Sequence, residues 1–499
     1  MSAMPEDQKA IAKPVSIKSI ISKFISGILK LTLVLVMVVC LFIGFLLTPW
    51  GTQSVVSVAD NLVDELTIDY HSGGVGSELR LASLKWKQFG SNIDIDNLRL
   101  SIKLSCVWRF AVCIDSVSTD KMVVQIQPSE SAQVAEPTTS ALTLPIAVSI
   151  ENLSLNAFSL KVQDTADVTW QKLTGKLDFY QFLRIEKMQL HGFHLTTYAI
   201  ETPAAATQAE PFDWSHWQYQ PMTAIPIVLP IHFDVLAFDM SAARLQLAGQ
   251  QEVELKKVSL KAKGSKNEVQ LHELFVEHEQ GQLLAKGNVQ LKGQFEHVFS
   301  VDANVEWVEQ TPLQLTLLSS GNINAVSTQV ELIETRLSTK TQTAKTQTAN
   351  AQVKPLKLVI DLTAQPAKAT LPVNLSLDWS HLQWPLAEPE LKSESGAIHI
   401  NGDLNALKIT IQTMLAGKNV PDTHINLSAI GVSTAQNKSF ELNEFLLETL
   451  GGQVLSKGKI NFSEFINWQG NSTISHIDPS VFWPELVADI NGEVVTQAN

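Results

Sequence analysis

From about residue 78 onward the apolar residues of this chain fall at every second position, and the pattern persists almost to the end. Phe299, Val301, Ala303, Val305 and Trp307 alternate strictly with polar neighbours, as do Leu407, Ile409 and Ile411. Ile93, Ile95, Leu98, Leu100, Ile102 and Leu104 alternate with a single slip. Period two predicts strands with one apolar face, and the intervening Ser, Thr, Gln, Asn and Lys suit a wet outer face. Before this region the period is different. Val55, Val58, Ala59, Leu62, Val63 and Leu66 lie at helical spacing, which predicts one short amphipathic helix over 53–66. The Gly-rich stretch 72–77 that follows reads as a turn.

Upstream of that helix, Leu31 to Leu47 is an uninterrupted apolar run, extended by Ile28 and Leu29 and closed by Thr48, Pro49 and Trp50. About 20 such residues cross a hydrocarbon core of roughly 30 Å. Lys9, Lys13, Lys18, Lys23 and Lys30 precede the run, and no Lys or Arg follows it until Arg80. The positive-inside rule then keeps the N-terminus cytoplasmic, with Trp50 at the far interface. The run is too long for a signal-peptide core and no small-residue cleavage site follows it, so an uncleaved anchor is expected.

Two pairs of segments repeat. Residues 142–162 lie over 227–247 without a gap, placing Ile150 on Val235, Leu155 on Met240 and Leu160 on Leu245. Residues 271–291 lie over 442–462, so that Leu271, Glu273, Gly281 and Gly287 recur as Leu442, Glu444, Gly452 and Gly458. A β-unit that cannot bury its own apolar face must stack on its neighbours, which predicts an elongated array of strands. Three segments lack the periodicity: 127–141, 202–211 and 338–353. They read as solvated insertions leaving the sheet edge. The final residues open another strand and stop mid-pattern, as the front portion of a longer sheet would.

Composition narrows the function. The chain of 499 residues is 45% hydrophobic and 17% charged, with a net charge of −13. No basic face favours nucleic acid. Cys40 lies inside the apolar run. Cys106 and Cys113, with six residues between them, suit a structural disulfide in an oxidising compartment, because a tight loop brings such a pair within bridging distance. They are too few for a zinc shell, and the spacing excludes a C-x-x-C redox site. No phosphate loop, nucleophile elbow or dinucleotide fingerprint occurs. His272 and His278 are six apart, not the four that a helical zinc site needs, and repeat logic places them outward on a strand. The chain therefore reads as non-enzymatic, with no cofactor and no metal.

The residues around the cysteine pair, LRLSIKLSCVWRFAVCIDSVSTDKMVVQI (98–126), resemble the start of the TamB family, within the wider AsmA-like, bridge-like lipid-transfer group. Stretches 382–411 and 467–494 are similar to the same family's repeats. The resemblance implies a Gram-negative inner-membrane protein with a periplasmic, curled β-sheet whose apolar inner face forms a groove. It implies phospholipid transport between the two membranes, or assistance to outer-membrane protein assembly with the barrel partner TamA. It also implies a C-terminal domain for TamA that this sequence lacks.

The domain expectation is a cytoplasmic tail (1–27), a transmembrane helix (28–50), the amphipathic helix and turn (51–77) and β-repeats with the disulfide (78–260). Further repeats (261–499) follow, with a mobile insertion at about 335–355. Phe299, Val301, Val305, Leu407, Ile409 and Ile411 are the candidate groove-lining residues. A strand-templating assembly factor is the alternative to a lipid conduit.

Overall fold

The structure, a computed structural model, describes residues 44–498 apart from 89, 128–145, 199–217, 308–310, 336–354, 387–388, 435–436 and 463–465, together with scattered positions between 34 and 42. The expected span from Leu31 lies largely outside these residues, as do the three expected insertions. Among the described residues no helix is long and apolar enough to cross a membrane.

Helix α1 (Pro49–Leu62) begins four residues earlier than the periodicity predicts and ends four earlier. Thr48 is its N-cap, accepting the Gly51 N–H on its hydroxyl at 3.2 Å, and Pro49 opens the first turn, where a missing N–H costs nothing. Trp50 is an exposed residue of this first turn. The strands also start earlier, with β1 (Leu66–Ser72), because Leu66, Ile68 and Tyr70 already alternate. Helix and strand are tied together where the Asp60 carboxylate accepts the Ile68 N–H at 2.9 Å. That bond satisfies a backbone donor on a strand that would otherwise present an open edge.

From β1 the described residues build one mixed sheet of 25 strands. The first group is β2 (Glu78–Gln88), β3 (Ser91–Lys103), β4 (Ala111–Thr119), β5 (Lys121–Ile126), β6 (Ala147–Val162), β7 (Ala166–Phe179), β8 (Leu183–His191) and β9 (His194–Thr197). The second is β10 (Phe233–Gln246), β11 (Val253–Gly264), β12 (Glu268–His278), β13 (Gly281–Gln290), β14 (His297–Trp307), β15 (Thr311–Asn322), β16 (Ala325–Glu334) and β17 (Lys357–Ala364). The last is β18 (Val373–Trp384), β19 (Leu391–Asp403), β20 (Ala406–Gly417), β21 (Thr423–Ser433), β22 (Lys438–Thr449), β23 (Gly452–Asn461), β24 (Asn467–Ile477) and β25 (Ile490–Ala498).

β4 and β5 lie end to end against β3 and form one rib, as β8 and β9 do against β10. Nearly all neighbours are antiparallel. The exceptions are β6, parallel to β4 and β5, and β10, parallel to β8 and β9. Parallel neighbours need a long crossover. The chain between each parallel pair, 127–146 and 198–232, lies largely outside the described residues. β11 runs unbroken through residue 260, so the sheet is continuous at the expected domain boundary.

The repeats are structural down to their irregularities. The β6–β7 register slips between Ile150 and Leu153, and the β10–β11 register slips at the aligned Val235 and Phe238. Likewise the slip of β12 on β13 between Leu271 and Leu274 recurs on β22 between Leu442 and Phe445. Ala157 and its counterpart Ala242 both have positive φ, 43° and 51°. There the apolar alternation steps by one residue, from Leu155 to Phe158 and from Met240 to Ala243. Register carries Leu155 through Leu173 and Leu190 to Met240, so the two steps are in line across the ribs. Further pairings carry the line to Trp379 and Ile474, beside His381 (φ 53°) and His476 (φ 53°). Irregularities of this kind bend a strand, and these four lie along one line of the sheet, a candidate crease.

No second layer covers the sheet among the described residues. Among the described residues only eleven apolar residues are buried, seven of them Leu, Val or Ile and four Ala, few for a sheet of this size. A packed sandwich would bury its large aliphatic side chains first.

Candidate functional face

The six residues singled out by alternation all lie on one face. Val301 of β14 stands opposite Leu317, and the register continues through Val330, Ile360, Leu377 and Ile398 to Ile411. Phe299 connects in the same way, through Ser319, Thr328, Leu362, Leu375 and Ile400, to Ile409. Leu407 lies in the next row toward one rim, and Val305 lies toward the other, opposite Gly281 and Leu313. In the other direction the row of Val301 runs back through Ala285, Leu274, Leu260 and Phe238 to Met188. It continues to Leu100 and Leu79 at the start of the sheet. Toward the end it passes Leu427 and Phe445, then Ser456 and Ser472, and reaches Val494.

One row therefore crosses the sheet from β2 to β25 without a charged residue. At about 4.8 Å per rib this amounts to on the order of 100 Å of apolar path. The opposite face carries ion pairs: Lys261 meets Glu273 at 2.8 Å, Lys357 meets Glu331 at 2.7 Å and Lys459 meets Glu441 at 3.2 Å. Being solvent-exposed, these pairs set which face is wet more than they set stability.

Several polar groups on the apolar face pair with one another, while the buried Thr119 hydroxyl and Trp170 indole N–H have no partner among the described residues. Ser456 and Ser472 hydroxyls are 2.8 Å apart, Ser319 and Thr328 are 3.0 Å apart, and the Trp379 indole N–H donates to Ser393 at 2.8 Å. Large rings on this face lie down over glycines directly opposite them. A Cβ built on Gly287 would meet the Phe299 ring at 2.3 Å, one on Gly396 the Trp379 ring at 2.1 Å, and one on Gly264 the Phe233 ring at 2.3 Å. Each ring covers a bare stretch of backbone and keeps the face low at that point. Alternation alone missed these pairs, although glycine at an apolar-parity position opposite an aromatic is their signature once the register is known.

Near the rim between β20 and β22 the face deepens into a cavity of about 520 Å³ lined by Leu404, Leu407, Gly431, Val432 and Phe462. Lys438 stands in its wall, which places one long cationic side chain among apolar groups. Phe158 and Trp170 stack at 3.6 Å between centroids on the ribs near the start.

Other sequence expectations fall as follows. A disulfide joins Cys106, in the 3-10 turn Leu104–Arg109, to Cys113 of β4. Both histidines were expected to face outward. His272 is exposed at the β12 bulge, but His278 is half-buried at the strand end and accepts the Gln280 N–H at 3.2 Å. The bulge at His272 breaks the parity that the repeat argument assumed. Among the described residues no cluster of His, Cys, Asp or Glu could hold a metal ion. Leu47 lies against the β1–β2 turn, its carbonyl accepting the Gly76 N–H at 3.3 Å.

These features define a class: a single-layer, repeat-built β protein whose longest continuous feature is an apolar face. The chain matches the TamB N-terminal domain over residues 37–499 and belongs to that family. It is also 22% identical over 471 residues to the translocation and assembly module subunit TamB of Haemophilus influenzae, a match covering 89% of this chain. The chain spans about a third (35%) of that relative's length. No solved structure matches it.

Proposed function

We propose that the apolar face is the floor of a groove, closed along the crease, that carries phospholipid acyl chains between the inner and outer membranes. The observation carrying this reading is the uncharged row from Leu79 to Val494, with the Lys261–Glu273, Lys357–Glu331 and Lys459–Glu441 pairs on the other face. An acyl chain lying along such a row stays out of water, at about 0.8 kcal/mol for each CH₂. Passage along it needs no chemical turnover. In this reading residues 28–50 anchor the chain in the inner membrane with the N-terminus cytoplasmic, and the sheet stands in the periplasm. Engagement of a TamA-like outer-membrane barrel is assigned to the part of the relatives that this chain does not span.

The competing reading, a factor that templates strands of outer-membrane barrels, uses backbone edges instead of the face. The edge of β1 is partly closed by the Asp60 bond to Ile68, which favours the face. Equilibrium binding separates the two readings. A fluorescent phospholipid should bind the purified chain saturably and be displaced by unlabelled phospholipid, but not by an unfolded barrel-strand peptide. Displacement by the peptide alone would support templating instead.

A further inference from the structure

The disulfide clamps a tip that nothing in the groove reading uses. Between Cys106 and Cys113 the chain turns from β3 to β4, and this turn presents Trp108 at 89% exposure and Phe110 at 88%. Leaving two aromatic rings this bare in water is unfavourable, and a disulfide that holds them in place removes their freedom to fold back.

Their position says what covers them. β2 begins at Glu78, which pairs with Ser101 near the end of β3, so the β1–β2 turn and the clamped tip share one rim. At that rim the Gly76 N–H is bonded to the carbonyl of Leu47, the last residue of the apolar run 31–47. The next turn along the same rim, between β7 and β8, adds Tyr180 and Phe182, both about half exposed. Among residues 73–77, 104–110 and 180–182 the one charge is Arg109. Farther along the rim the turns change character, with Lys266, Lys292, Glu296 and Lys368. A belt of Trp, Tyr and Phe with one cation and no acid is the composition of a membrane interface, where amphipathic rings sit at headgroup level. A cation there favours anionic headgroups.

We propose that the tip Trp108–Phe110, with Tyr180 and Phe182 beside it, dips into the leaflet from which the apolar run emerges. The sheet is thereby held to the bilayer at a second point. Two attachments fix the rotation of the first ribs against the membrane, which one anchor helix cannot do. This rests on the anchored part of the functional reading and is independent of the groove's cargo.

The test uses the full chain reconstituted in vesicles of phosphatidylethanolamine and phosphatidylglycerol. A benzophenone amino acid replaces Phe110, or replaces Thr165, which is exposed at the opposite rim. After illumination, lipid adducts should form several-fold more at 110 than at 165. They should fall when Cys106→Ser and Cys113→Ser release the clamp, and fall in vesicles of phosphatidylcholine alone. Val301→Asp with Ile409→Asp should leave the adduct at 110 unchanged, which separates this proposal from the groove. Equal yields at the two positions, no adduct at either, or adducts at 110 to a second protein chain would overturn it.

Discussion

Introducing Val301→Asp together with Ile409→Asp should reduce phospholipid transfer by the protein on the order of a hundredfold. The two residues lie in adjacent rows of the same face, six ribs apart by register, so the substitutions place charge at two points along one path. An acyl chain passing a hydrated carboxylate loses contact for about four CH₂ groups, roughly 3 kcal/mol at about 0.8 kcal/mol each. The fold should tolerate the change better than a core would, because both side chains are half-exposed and can hold their carboxylates in water. The matching control is Val298→Asp with Thr410→Asp, on the other face of the same two strands. Transfer of a labelled phospholipid between donor and acceptor vesicles should fall with the first pair and stay near normal with the second. Equal losses with both pairs would mean that the effect is one of folding.

Gly396→Ala should destabilise the sheet by about 1–3 kcal/mol, the range for overpacking a filled site. The new Cβ would stand 2.1 Å from the Trp379 ring, which cannot stay where it is. Lifting the ring also breaks the indole bond to Ser393. Trp379→Ala in the same chain should recover much of the loss, since the space then stands empty. Denaturant unfolding of the four chains of this cycle measures the coupling, and additive effects would show that ring and glycine are independent. The same argument applies to Gly287 beneath Phe299.

Alternation was enough to put Phe299, Val301, Val305, Leu407, Ile409 and Ile411 on one face, because side-chain parity in a strand is local. Repeat matching went further, since aligned residues such as Ile150 and Val235 mark register slips at equivalent places. What stayed hidden depends on register between strands. The glycine under each ring is 12 to 31 residues from it in sequence, and nothing local reports which strands pair. The parallel pairings at β6 and β10 were hidden for a similar reason, because the Ala- and Pro-rich segments before them carry no periodicity of their own.

The helix boundaries were misread because two signals competed. Val63 and Leu66 continue the helical spacing of Val55, Val58 and Leu62, yet Leu66, Ile68 and Tyr70 also begin an alternation. The Asp60 bond to Ile68 resolves that competition in favour of the strand. At the other end Thr48 and Pro49 carry a capping signal that the periodicity of 53–66 does not include, so the helix starts earlier.

The most direct measurement of the central claim compares the two faces of single strands inside cells. A photo-reactive amino acid is placed in turn at Val301, Leu317 and Ile411 on the apolar face, and at Asp302, Thr316 and Gln412 on the polar one. Phospholipid adducts confined to the first three positions are the predicted result. Adducts equally frequent at both sets, or absent from the first, would contradict a lipid-carrying face.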